Sequence, residues 1–76
     1  MTGHSAKVEL RLIVGDKSYS LSHVGAGLVQ LRDWVKPVPA TKAMIVIIVD
    51  ENETRHSVWL PCGIPGAVEP IPYWDE

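Results

Sequence analysis

Phenylalanine is absent from this 76-residue chain, and cysteine occurs once, at Cys62. One cysteine excludes an intrachain disulfide and fits a reducing, cytoplasmic compartment. No pair of the form Cys-x-x-Cys or His-x-x-x-His occurs, so a metal site would have to recruit His4, His23, His56 and Cys62 from separate segments. No physiological metal and no cofactor is expected. Basic excess is lacking too: seven Lys and Arg stand against nine Asp and Glu. That balance, with the basic residues scattered, gives no field for a polyphosphate backbone, and nucleic acid is not an expected partner. No apolar run reaches membrane-spanning length, and the first residues lack the apolar core of a signal peptide.

What is present is strand-like. Val8, Leu10, Leu12 and Val14 alternate with Glu9, Arg11 and Ile13, and Gly15-Asp16 follows as a hairpin turn. Over 17–24 the inward set is Tyr19, Leu21 and, by continuation, His23, against Ser18, Ser20 and Ser22. Gly25-Ala26-Gly27 ends this strand. Residues 28–35 fit helical spacing at Leu28, Leu31 and Val35, but they lack an N-cap and are flanked by Gly27, Pro37 and Pro39. A strand is the preferred reading.

Ala43–Val49 is a continuous apolar run, rich in Ile and Val and too short for a typical helix. Ala43, Ile45, Ile47 and Val49 leave one face, and Met44, Val46 and Ile48 the other. Both faces need cover, which is expected from the C-terminal segment or from another molecule. Asp50 to Glu53 form an acidic hairpin loop, and over 54–60 His56, Val58 and Leu60 alternate with Arg55, Ser57 and Trp59. From Pro61 onward, four prolines forbid most regular structure, while Ile64, Val68, Ile71, Tyr73 and Trp74 are apolar enough to require burial. The expected fold is a single all-β domain. A five-stranded antiparallel meander over 7–60 closes into a small barrel or half-barrel, with the Pro-rich tail, 61–76, laid across it.

The segment Ser20-Leu21-Ser22-His23-Val24-Gly25-Ala26-Gly27-Leu28, followed by a strand, a Pro-rich link and an apolar strand, resembles the second half of a PilZ domain. PilZ domains read cyclic di-GMP on a small β-barrel, through an arginine motif and a later Asp/Asn-x-Ser-x-x-Gly motif. The resemblance places Ser22 and Gly25 on the Ser and Gly of that later motif. Ser20 stands where the family has Asp or Asn. It implies a ligand set of Ser20, Ser22, Gly25 and Arg32. The arginine motif itself is matched only in spacing, by Lys7-Val8-Glu9-Leu10-Arg11.

No catalytic set is expected. Cys62 and His56 lie along one strand and its exit, roughly 20 Å apart if that strand stays straight, and no further nucleophile, base and orienting group come together in sequence. Cys62 is read as a small, partly buried side chain. A domain of this length buries only about 60% of its unfolded surface, and it has no staple. Together with the doubly apolar strand, this points to a non-enzymatic binding module that self-associates. Trp59, Arg55, Tyr73 and Trp74 are its candidate contact residues. Two readings of Trp59 stay open: an exposed binding residue, or one over which the C-terminal segment packs. The alternative function is a degenerate PilZ-like receptor for a cyclic dinucleotide.

Overall fold

The computed structural model describes residues 7–66 and 69–76. His4 and Val68 lie outside the described residues. Seven antiparallel strands form a nearly closed barrel: β1 (Val8–Val14), β2 (Lys17–Gly25), β3 (Leu28–Leu31), β4 (Thr41–Val49), β5 (Asn52–Leu60), β6 (Ile71–Pro72) and β7 (Trp74–Asp75). Their order across the sheet is β6-β3-β2-β1-β4-β5-β7. This corrects the expected five-stranded meander in two ways. After β3 the chain crosses to the far side of β1 before laying down β4, and the C-terminal segment supplies two strands of its own. The short β3, which stops at Leu31, also settles residues 28–35: the first half is strand, and the backbone leaves the sheet after Arg32, whose N–H still donates to Ser20 O at 3.0 Å.

Turn chemistry explains the strand lengths. Gly15 adopts φ +62° in the first hairpin, and Asp50 and Glu51 adopt φ +47° and +73° in the β4–β5 turn. Positive φ at both central residues gives the twist that suits a two-residue hairpin. β4 and β5 therefore pair along their whole lengths, from Thr41↔Leu60 to Val49↔Asn52. The expected acidic loop shrinks to Asp50-Glu51, and Asn52 and Glu53 join the strand.

The core gathers Leu12, Leu21, Val29, Leu31, Ala43, Ile45, Val58, Leu60, Ile64 and Ile71. Fully burying such side chains contributes about 1.5–3 kcal/mol each. In β2 the inward parity breaks at a bulge between Leu21 and His23. Beyond it Val24 packs against the core, and His23, expected inward, is exposed. The bulge adds one residue and so exchanges the faces.

Val46 is 2% exposed, although it lies on the opposite face from the core. Its direct cross-strand neighbours are two arginines, not residues of the C-terminal segment. Val46 stands directly between Arg11 of β1 and Arg55 of β5, and each arginine is held by a carboxylate two residues away on the same strand face. Arg11 Nε bonds Glu9 Oε2, and Arg55 Nε bonds Glu53 Oε2 at 2.5 Å. Half-exposed ion pairs of this kind contribute only about 0–1 kcal/mol. Their larger effect is to lay the arginine stems beside the valine, which keeps water from it.

The C-terminal segment closes the barrel. Ile71 pairs Val29, and Pro72 pairs Leu28, at one margin; Trp74 pairs Trp59, and Asp75 pairs Val58, at the other. Pro72 lacks an N–H, but β6 is an outermost strand and its free edge needs none. Tyr73 spans the corner, its N–H donating to Gly27 O at 3.0 Å and its hydroxyl to Gly25 O at 2.9 Å. Further back, Val38 and Ile64 exchange backbone hydrogen bonds of 2.9 and 2.8 Å, which pins the Pro-rich link to the chain after β5.

Candidate functional site

Two surfaces bring together residues that the sequence singles out. The first is the outer face of β4, β5 and β7. Directly opposite residues of antiparallel strands share a face with Cβ atoms about 4.5–5.5 Å apart, so the register fixes a row of Lys42, Trp59 and Trp74. The next row on this face holds Met44 and Ser57, and the one after it Val46 and Arg55. Trp59 is half-buried within the row, while Trp74 stands 63% exposed at the margin. Beside them lies an open groove of about 360 Å³, lined by Ile13, Lys42, Met44, Arg55, Ser57 and Glu76 among others. Arg55 reaches across its floor, with Nη1 at 3.7 Å from Met44 Sδ.

β7 is fastened to β5 by more than its two ladder pairs. His56 Nε2 meets Asp75 Oδ1 at 2.5 Å, and Glu76 N donates to Ser57 O at 3.3 Å. Three of the four candidate contact residues, Trp59, Arg55 and Trp74, therefore share one face. Tyr73 does not; its half-buried ring packs against the core and its hydroxyl bonds Gly25. Lys42, Met44 and Ser57 belong to this surface as well. The sequence reading misses these three; the outward parity of Met44 in the apolar run and of Ser57 beside Trp59 is the signal that could have found them.

The second surface lies where β1 and β2 part. Their pairing stops at Arg11↔Ser20; among the described residues, Val8 to Leu10 pair with β4 alone, and Leu21 to Gly25 with β3 alone. Between the diverging arms is a groove of about 300 Å³ lined by Val8, Glu9, Leu10, Ser20, Leu21, Ser22 and Arg32. Three residues of the PilZ-like set, Ser20, Ser22 and Arg32, meet here. Gly25, the fourth, does not line the groove, and its carbonyl is taken by Tyr73. The Ser22 hydroxyl donates to Gln30 O at 3.3 Å. Arg32 makes no ion pair with the described residues.

Cys62 is exposed, not partly buried as expected. His56 is engaged by Asp75. Among the described residues no group of three or more His, Cys, Asp or Glu is placed to hold a metal ion, and no helix is long and apolar enough to cross a membrane. No family model, no curated protein and no solved structure matches this chain.

Proposed function

We propose that the chain is a non-enzymatic interaction module that binds protein, a second copy of itself included, through the outer face carrying Trp59 and Trp74. The observation behind this reading is the exposure of Trp74 beside Trp59, with Arg55 and Met44 on the same face. Trp, Arg and Met are enriched at protein interfaces, and energy concentrates on such large side chains. A tryptophan left in water at an outermost strand gains most from a partner that covers it. β7 ends the sheet, so contact there meets an open margin. Light scattering over a concentration series tests this. The wild-type chain is expected to dimerise, and Trp74→Ala to weaken the dimer by about 2 kcal/mol, roughly 30-fold. A strict monomer at high concentration overturns self-association.

A second reading has one observation in its favour: Ser20, Ser22 and Arg32 share a groove, as a degenerate PilZ-like receptor for a cyclic dinucleotide requires. That groove is at the lower limit of ligand-pocket size, about 300–1,000 Å³, which ranks this reading below the first. Titration calorimetry with cyclic di-GMP decides it, and no heat at high micromolar ligand removes it.

A further inference from the structure

We propose that the fork between β1 and β2 is a strand-addition site for an extended, acidic peptide segment, separate from the Trp59–Trp74 face. Its geometry begins with main-chain direction. Lys7 O accepts from Asp50 N at 3.0 Å, so the odd-numbered residues of β1 turn their backbone groups towards β4. Those of Val8 then face the fork, where no ladder partner stands among the described residues. Across the fork, β2 beyond Ser20 is likewise paired on one side only. An extended chain laid between such arms continues the ladder, and its alternate side chains fall on opposite faces.

The side chains define the occupant. On the inner side the fork offers Leu10 and Leu21, with Val8 54% exposed at its mouth. The outer side offers the Ser20 and Ser22 hydroxyls and Arg32. The one carboxylate in the lining, Glu9, is already neutralised by Arg11. Among the described residues the one charge of the groove without an ion-pair partner is therefore the Arg32 guanidinium, which suits a carboxylate in the charge-assisted, two-pronged manner of arginine. A segment alternating apolar and acidic residues satisfies both sides at once. A second copy of the chain offers its acidic residues at this end in another form: Glu9 is tied to Arg11 within a paired strand, and Asp50-Glu51 are held in a two-residue turn, so neither is a free extended segment.

Amide NMR of the intact chain provides the test, with acetyl-Val-Glu-Val-Glu-Val-amide as the probe. Shift changes are expected at Val8, Leu10, Leu21 and Ser22. The same peptide with Lys for Glu should bind at least about tenfold more weakly, and Arg32→Glu should reverse that preference. Arg32 is exposed, so the variant keeps the fold, and the dispersion of its spectrum verifies this. A copy of the probe N-methylated at alternate residues should lose binding, because it cannot complete the ladder. Equal binding of the N-methylated peptide overturns the proposal, as do shifts confined to Trp59 and Trp74, or no shift at about 1 mM probe. Val8 shifts that depend on protein concentration without peptide would place a second copy in the fork and overturn it equally.

Discussion

Gly63→Ala should cost about 4 kcal/mol or more, enough to unfold much of the protein. Gly63 is buried, has φ +62°, and donates its N–H to Leu60 O. A Cβ there would sit 1.9 Å from Val38 O and 2.5 Å from the carbonyl carbon of Pro39. Those atoms are backbone, held by the Val38–Ile64 hydrogen bonds, and no side-chain rotation relieves the overlap. Gly15 provides the control. It has the same φ, but an added Cβ meets nothing within 4 Å, so Gly15→Ala carries only the left-handed backbone penalty of about 1–2 kcal/mol. At about 0.05–0.15 kcal/mol per residue, the whole domain holds only about 4–11 kcal/mol. Urea denaturation of both variants checks this, and similar midpoints would show that the close approach to Val38 is not rigid.

Ile71→Ala should destabilise by about 2–4 kcal/mol, as much as a truncation in the middle of β1 or β5. Ile71 is fully buried, touches the core formed by the long strands, and pairs with Val29. A residue in a loose C-terminal wrap would lose about 0.5 kcal/mol or less. Chemical denaturation therefore distinguishes the two directly. A negligible change in midpoint would mean that the barrel stands without β6, and that the final residues are an addition to it.

The difference between these readings marks where the sequence ceased to be legible. Alternation located β1, β2 and β5, and the Ile/Val run located β4, because burial on one or both faces writes itself into a period of two. The C-terminal strands left no such trace. A strand of two residues has no period, and Pro70 and Pro72 argue against pairing unless the strand is known to lie at a margin. Strand order was hidden for a related reason: nothing local in residues 32–40 says that the chain will cross β1. Of the candidate residues, Trp59, Arg55 and Trp74 were found by composition and placed by register. Tyr73 and Gly25, chosen for two different surfaces, turn out to bond each other. The fork could not be foreseen, since it depends on where a pairing stops.

Ile71-Pro72 and Trp74-Asp75 lie on opposite margins of the sheet, yet only Tyr73 separates them in the chain. Neither margin can fray alone without loading the other. Amide hydrogen exchange along Leu28–Leu31 and along the end of β5 should then report one shared opening event, a clasp whose two hooks release together.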